Sequence, residues 1–224
     1  RIAGLQRGLM VEPSTKCLAG CIRCLPSPPR DLAPSELEAW LACRPVPPAT
    51  IGLAGRHSDP LASESLASVV DVSRRHALSV AVSTSGAGLT RAHAQLPVDR
   101  WVFGIPGATR ASYAAVRGVD GFDGVIDAIR TVRASSRAMT EVALTIWKPS
   151  AGDVAPFADL ARREGWRDVQ VVPGIYDPTG HDVGRPEMLA TGSPDCPYAL
   201  DDRGEVLLSR PSVRCPALGY VLLD

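Results

Sequence analysis

The stretch "GLMVEPSTKCLAGCIRC" (8–24) joins an apolar run to a loop rich in cysteine. The run "GLMVEP" (8–13) has the length and composition of a buried β-strand. Behind it stand Cys17, Cys21 and Cys24, half of the six cysteines in the chain. Parallel α/β sheets and barrels hold their sites in the loops at the carboxyl ends of their strands. The stretch therefore predicts a parallel fold with a thiolate site at its carboxyl edge.

Apolar runs of strand length alternate with helical patterns about six times up to Pro173. After the first run, strands are predicted at 49–55, 78–84, 99–105, 141–147 and 168–173. Helices are predicted at 33–44, 61–77, 90–96, 122–136 and 153–165. Strands that alternate with helices pair in parallel through right-handed crossovers. Because six units are two short of a closed eight-fold barrel, we expect an α/β fold and favour a partial (β/α)6 TIM-like barrel over an open sheet.

The sequence changes character after the sixth strand. Residues 174–197 are dense in Gly, Pro and Asp and have little periodicity, which indicates a domain boundary. We therefore expect a core at 1–173 and a carboxyl-terminal extension at 174–224. In the extension, "YALDDRGEVLLS" (198–209) predicts a short β-hairpin, and "ALGYVLLD" (217–224) a last apolar strand or tail.

The composition limits the classes of function. The 224 residues are 45% hydrophobic, which is enough to bury a sizeable core. The 24 basic and 24 acidic side chains leave no net charge to attract nucleic acid or an anionic membrane. No apolar run approaches the roughly 18 residues that a membrane span needs, and we find no secretory signal pattern. We expect a cytoplasmic protein with no nucleic-acid and no membrane partner.

The spacing of the three clustered cysteines lets their thiolates surround one metal centre. A structural zinc needs a fourth ligand, but Cys43, Cys196 and Cys215 are scattered and the four histidines stand alone. Three thiolates on a four-iron cluster instead leave one iron open to an outside ligand, which has a catalytic use. The pattern favours an iron-sulfur cluster. A zinc-stabilised binding module and an electron-transfer iron-sulfur protein remain alternatives.

The motif "CLAGCIRC" (17–24) resembles the CxxxCxxC loop of the radical S-adenosylmethionine (radical SAM) superfamily. The resemblance implies that Cys17, Cys21 and Cys24 hold a [4Fe-4S] cluster whose fourth iron is chelated by S-adenosyl-L-methionine. It also implies reductive cleavage of that cofactor to a 5'-deoxyadenosyl radical, which takes a hydrogen atom from the substrate. The implied partners are a small-molecule or peptide substrate and an electron donor such as flavodoxin or ferredoxin.

Three further segments extend the resemblance in chain order. "GLAGRHSDPL" (52–61) is similar to the family's Gly-Gly-Glu-Pro stretch, which binds the cofactor's amino group, with Asp59-Pro60 in place of Glu-Pro. "VSTSG" (82–86) resembles the end of the third strand, usually Thr-Asn-Gly. "GIPGATRASYAAVRGVDGFDGVIDAIR" (104–130) resembles the fourth-strand segment with its Arg-Gly. By this resemblance the cofactor-binding residues are Gly55, Asp59, Ser83, Thr84 and Arg117.

Two arginines are assigned to different parts of the cofactor. The resemblance makes Arg117 the partner of the cofactor carboxylate. Arg23 stands where the family usually has an aromatic residue near the adenine. Because a guanidinium also stacks on a π face, we expect Arg23 to bind the cofactor in that place.

The segment "CPYALDDRGEVLLSRPSVRC" (196–215) resembles the start of the auxiliary-cluster domain of many relatives, the SPASM or twitch domain. Cys196 and Gly204 fit its pattern, but Ser209 stands where a cysteine is usual. Since two cysteines do not supply a four-thiolate cluster, we expect a degenerate, iron-free version. Cys196 and Cys215 are then candidate catalytic thiols that return a hydrogen atom to a substrate radical, as epimerases of this type do.

Overall fold

The computed structural model describes residues 8–19, 21, 28–45, 48–55, 58–173, 198–200, 206–208 and 220–222. The strands in these ranges are β1 (Gly8–Val11), β2 (Thr50–Leu53), β3 (Ser79–Thr84), β4 (Arg100–Ile105), β5 (Met139–Ile146), β6 (Asp168–Pro173), β7 (Tyr198–Leu200), β8 (Val206–Leu208) and β9 (Tyr220–Leu222). The helices are α1 (Pro34–Ala42), α2 (Leu66–Arg75), α3 (Arg91–Ala94), α4 (Arg110–Arg117), α5 (Phe122–Ser135) and α6 (Val154–Glu164). Two short 3-10 turns follow β2 and β5, at Pro60–Ala62 and Lys148–Ser150.

The main sheet is parallel and unclosed, with the order β6-β5-β4-β3-β2-β1-β9. Its first six strands in chain order, each joined to the next through helical segments, form the expected α/β partial barrel. The expected hairpin is confirmed, because β7 and β8 pair antiparallel. The last apolar run forms β9, which pairs in parallel with β1 at the edge of the core sheet. The division into two domains at residue 173 stays a prediction.

The two faces of the sheet have different side chains because successive strand residues point to opposite sides. The face toward the helices is apolar and buried, as shown by Leu9, Ile51, Val80, Trp101 and Val142. The inner face of the partial barrel carries small side chains near the carboxyl ends of the central strands. They are Gly52, Ala81, Ser83, Gly104 and Ala143. The side chain of Met10 lies over Gly52, and Val102 and Glu141 share this face with the small residues.

Helix α4 places one functional side chain and was not predicted. It begins after Thr109, whose hydroxyl accepts a hydrogen bond from the N–H of Ser112, and it ends at Gly118 in the left-handed conformation (φ 78°). Arg117 is the last residue of this helix, and the helix follows β4 in the chain. None of the helices in the described ranges has the length and apolar character needed to cross a lipid bilayer.

Candidate active site

Asp59 connects the loops that follow β1, β2 and β3. Its backbone N–H donates to the carbonyl oxygen of Lys16, one residue before Cys17 (2.9 Å). Its carboxylate accepts hydrogen bonds from the Thr84 hydroxyl (2.7 Å) and from both the N–H (2.7 Å) and the hydroxyl (2.6 Å) of Ser85. The N–H of Leu61 donates a further bond to it at 3.0 Å. These bonds lock three loops together at the carboxyl edge of the sheet.

The Asp59 carboxylate is buried and well satisfied by the protein itself. Asp59 is 3% exposed, and four donors among the described residues reach its two carboxylate oxygens. A carboxylate offers about four lone-pair positions, so these donors use its ordinary capacity. The sequence predicted Asp59 as a direct contact to the cofactor. The structure gives it a second role, as the residue that orders the loops around the cysteines.

The adjacent residues Ser83 and Thr84 lie on opposite faces of β3. Ser83 is exposed on the inner face, whereas Thr84 is buried on the face toward the helices. Thr84 donates to Asp59 and accepts from the N–H of Gly86 (3.0 Å). Of this pair, only Ser83 offers its hydroxyl to the interior of the partial barrel. The sequence reasoning did not name Ser85, although it makes two of the bonds to Asp59.

Gly55 allows the loop after β2 to turn tightly. A Cβ atom at this position would lie 2.2 Å from both the carbonyl oxygen and the Oγ of Ser58. No real Cβ contact is that short, so a side chain here would displace the backbone at Ser58, one residue before Asp59. The Ser58 hydroxyl donates to Oε1 of Glu12 at 2.6 Å, which ties this turn to the end of β1.

The cysteine loop (residues 14–31) is fixed at both ends of its described part. Ser14 and Asp31 form an isolated antiparallel bridge, and the N–H of Thr15 donates to the Arg30 carbonyl at 2.8 Å. Nζ of Lys16 lies 2.7 Å from the Asp31 carboxylate, and the hydrogen bonds and charges of Asp31 and Glu64 raise the pKa of Lys16. The loop therefore leaves and rejoins the core at defined points.

Two of the three predicted cluster ligands belong to the described residues. Cys17 is exposed, and Cys21 is buried. The N–H of Ala19 donates to the Cys17 sulfur at 3.4 Å. Cys17 is a free thiol. Cys24 and Arg23 lie outside the described residues, and so do Cys196 and Cys215. Within the described ranges no group of three His, Cys, Asp or Glu side chains is arranged to hold a metal.

Arg117, at the end of helix α4, contacts the cysteine loop. Its Nη1 donates to the sulfur of Cys21 at 2.7 Å, and its Nη2 donates to the Gly104 carbonyl at the end of β4 (3.2 Å). The residue is 6% exposed, and the ring of Tyr113 lies 5.7 Å from its Cζ. Nε is buried and has no hydrogen-bond partner within the described part of the chain. A buried N–H without an acceptor is costly, so this side of the guanidinium suits an anionic ligand.

The pKa values of Cys17, Tyr113 and Arg117 are shifted by burial and by the charges around them. Partial desolvation of the Cys17 sulfur raises the pKa of this thiol, and the charges of Asp59 and Cys21 act in the same direction. Burial also raises the pKa of Tyr113. For Arg117, burial lowers the pKa, but Cys21, Tyr113 and Asp59 outweigh it and the net direction is upward. Arg117 therefore stays protonated and supplies a positive charge beside the cysteines.

Helix α4 is held in place by the carboxylate of Asp153, the residue directly before α6. Oδ2 of Asp153 accepts the N–H of Ala108 at 2.6 Å and the hydroxyl of Ser112. A Cβ at Gly107 would lie 2.4 Å from the backbone nitrogen of Tyr113, so the turn into the helix packs closely. These contacts fix the first turn of the helix whose last residue is Arg117.

The residues present fit an iron-sulfur cluster with an anionic co-ligand. The described loop brings two thiols to the carboxyl edge, where the charge of Cys21 influences Cys17. A buried guanidinium, whose Nε has no hydrogen-bond partner among the described residues, lies beside Cys21. The chemistry of this donor set is that of soft thiolates, which bind iron-sulfur clusters or zinc.

Comparisons with known proteins place the fold. No protein-family model matches the chain, and no curated protein matches it by sequence. Among solved structures, SuiB of Streptococcus suis bound to S-adenosylmethionine is similar with a TM-score of 0.65 at 13% identity, over 80% of this chain and 43% of that one. The chain has the radical SAM fold. Native anSMEcpe with bound AdoMet and the Cp18Cys peptide is similar with a TM-score of 0.61 at 13% identity, over 78% of this chain and 54% of that one.

The radical SAM fold is also found in a third similar structure, TYW1 with a lysine-pyruvate adduct bound. It has a TM-score of 0.62 at 13% identity, and the likeness covers 88% of this chain and 76% of that one. The chain spans only about half the length of SuiB and anSMEcpe. At these identities the radical SAM likeness establishes the fold, and the activity is a separate question.

Proposed function

We propose that this chain is a radical SAM enzyme that binds a [4Fe-4S] cluster through Cys17, Cys21 and Cys24. The observation that carries the proposal is the convergence of Arg117 and Asp59 on the cysteine loop at the carboxyl edge of a radical SAM fold. When bound there, the cluster and S-adenosylmethionine supply one-electron cleavage of the sulfonium and a carbon radical that abstracts hydrogen. Everything else in the site serves to bind and orient these groups.

The chain's own residues prepare the thiolates for the cluster. Metal ligation requires deprotonated sulfur, so binding releases protons. Partial desolvation of its sulfur raises the pKa of Cys17, but the residue is exposed, which gives the proton a direct route to water. Cys21 is buried, and the Arg117 guanidinium that donates to its sulfur favours the thiolate form. Of these two ligands, Cys21 is therefore the one whose thiolate form a neighbouring cation favours.

We assign the contacts to S-adenosylmethionine to side chains whose polar groups lie at the site. The unpaired Nε of Arg117 is suited to the cofactor carboxylate, because a guanidinium forms strong charge-assisted bonds to carboxylates. Ser83 offers a hydroxyl on the inner face. Gly55 keeps the adjoining turn compact. Asp59 supplies a negative charge for the cofactor ammonium, and Thr84 positions the Asp59 carboxylate by donating a hydrogen bond to it. Arg23 is proposed to stack on the adenine.

We propose a peptide as the substrate class, ahead of a free small molecule. The structures of SuiB and anSMEcpe include complexes with a precursor peptide and with the Cp18Cys peptide. The inner face near the proposed cofactor position carries the small residues Ser83, Gly104 and Ala143. The electron comes from an external donor such as flavodoxin or ferredoxin. Cys196 and Cys215 are proposed as thiols that return a hydrogen atom to the substrate, without an auxiliary cluster.

Anaerobic reconstitution with iron and sulfide tests the proposal. The wild type is expected to bind about four irons with matching sulfide and to release 5'-deoxyadenosine when given S-adenosylmethionine and dithionite. Cys21→Ala should lose both properties. Cys43→Ala is the matched control, because this exposed thiol lies at the end of α1 and should leave both unchanged. One bound zinc, without iron, would support a zinc-stabilised binding module. A full cluster that never yields 5'-deoxyadenosine would support an electron-transfer protein.

A further inference from the structure

The contact between Arg117 and Cys21 has a chemical role beyond holding the cofactor. Nη1 lies 2.7 Å from the sulfur, the arginine is 6% exposed and the cysteine is 8% exposed. Buried charges are tolerated when they are paired and hydrogen-bonded. A positive charge at this distance from a cluster sulfur acts on that sulfur with little screening by water or salt.

We propose that Arg117 sets the reduction potential of the cluster by donating a hydrogen bond to the Cys21 sulfur. This inference rests on the proposed function, since it requires a cluster on Cys21. The reduced cluster carries one more negative charge than the oxidised cluster. A nearby cation and a hydrogen bond to a ligating sulfur therefore stabilise the reduced form and raise the potential. Arg117 is in this respect a positioning residue that acts through a ligand.

The guanidinium is fixed in this position by several independent contacts. Nη2 donates to the Gly104 carbonyl at 3.2 Å, and Tyr113 lies beside the guanidinium carbon. The helix ends immediately after Arg117 at Gly118, and Asp153 holds its first turn. Because rotation of the side chain would break the Gly104 contact, the bond to the sulfur is expected to persist in both oxidation states.

The test is a redox titration of the cluster followed by electron paramagnetic resonance, in the absence of S-adenosylmethionine. Arg117→Gln removes the charge and keeps a polar side chain. At a fixed applied potential we expect its ratio of reduced to oxidised cluster to fall about tenfold, equal to a decrease of about 59 mV for a one-electron couple. Arg117→Lys keeps the positive charge but lacks the planar guanidinium, so its reduction potential should decrease less.

Arg110→Gln is the matched control. Arg110 lies in the first turn of the same helix, is exposed, and pairs with Asp120 and Asp123 away from the cysteines. Its removal changes the net charge by the same amount as Arg117→Gln. The potential of this variant should equal that of the wild type, because exposed charges are strongly screened.

The outcomes separate this inference from the proposed function. An unchanged potential in Arg117→Gln, with iron content and circular dichroism like those of the wild type, would overturn the inference and leave the function intact. If Arg117→Gln fails to assemble a cluster, the reduction potential of Arg117→Lys is the test. An unchanged potential in Arg117→Lys overturns the inference. A wild type that binds no iron-sulfur cluster would overturn both.

Discussion

Two hydrogen bonds join Ser85 to the carboxylate of Asp59, one from its N–H at 2.7 Å and one from its hydroxyl at 2.6 Å. Both residues are buried. The pair connects the loop after β2 to the end of β3, while the N–H of Asp59 binds the carbonyl of Lys16. A single acidic residue thus orders the approach to the cysteines from two strands.

The first prediction concerns the stability of this connection. Asp59→Ala leaves buried donors of Leu61, Thr84 and Ser85 without an acceptor. We expect a loss of about 3 kcal/mol in the free energy of unfolding, since unsatisfied buried donors cost about 1 to 3 kcal/mol each and water replaces part of the loss. Urea denaturation followed by circular dichroism measures it. Thr84→Val removes one donor and leaves the carboxylate, so its loss should be smaller; equal losses would contradict this assignment.

The second prediction concerns cofactor affinity in the same variant. Because protein donors already fill the usual acceptor positions of the Asp59 carboxylate, it acts on the cofactor ammonium mainly through its charge. Asp59→Ala should therefore weaken S-adenosylmethionine binding by less than the about 1.5 to 3 kcal/mol of a direct charge-assisted hydrogen bond. Isothermal titration of the reconstituted protein measures this. Wild-type affinity in a folded Asp59→Ala variant would show that the residue only orders the loops.

The third prediction uses two glycines in contrasting surroundings. Gly55→Ala places a Cβ 2.2 Å from the Ser58 carbonyl and should destabilise the protein by about 1 to 3 kcal/mol through overpacking. Gly124→Ala is the control, because nothing lies within 4 Å of its added Cβ in helix α5. That change should stabilise the protein by about 0.5 to 1 kcal/mol. Thermal unfolding of both variants gives the comparison; tolerance of Ala at position 55 would contradict the tight turn.

The fourth prediction is a pH dependence at the opposite edge of the sheet. Burial opposes the ionisation of Asp99, but hydrogen bonds from Arg74, Val80 and Ser79 outweigh it and hold the pKa of this carboxyl below its ordinary value of 3.8. The unfolded chain therefore binds the proton more readily than the folded chain. The stability that the carboxylate contributes is complete above pH 3.8 and is lost as the pH falls through the lower folded pKa.

Asp99→Asn measures that contribution. Its free energy of unfolding should lie below that of the wild type near neutral pH, and the gap should narrow as the pH is taken below 3.8. Urea denaturation at a series of pH values gives both curves. A gap that stays constant across the whole series would show that the carboxylate charge does not stabilise this edge.

Much of the fold could be predicted because it depends on local patterns. Strand β6 lies where the sequence predicted it, at 168–173, and helix α5 (Phe122–Ser135) agrees with 122–136 to within one residue. Helix α4 was missed because it has only eight residues, little more than two turns. Its Thr109 cap and the following Gly118 were the signals that mark its ends.

The site was predictable in its ligands and less so in its contacts. Cys17 and Cys21 are recognisable by spacing, whereas the bonds from Ser85 to Asp59 depend on two loops meeting in space. The opposite orientations of Ser83 and Thr84 followed from strand alternation and were open to prediction. The contact between Arg117 and Cys21 joins residues 96 positions apart, which no local pattern specifies.

The central claim is that three cysteines leave one iron of a four-iron cluster open for S-adenosylmethionine. Mössbauer spectroscopy of the protein reconstituted with ⁵⁷Fe, before and after adding S-adenosylmethionine, tests it most directly. The account predicts that the signal of one iron among four changes on addition. A spectrum in which no iron responds, because a fourth side chain already completes the cluster, would contradict it.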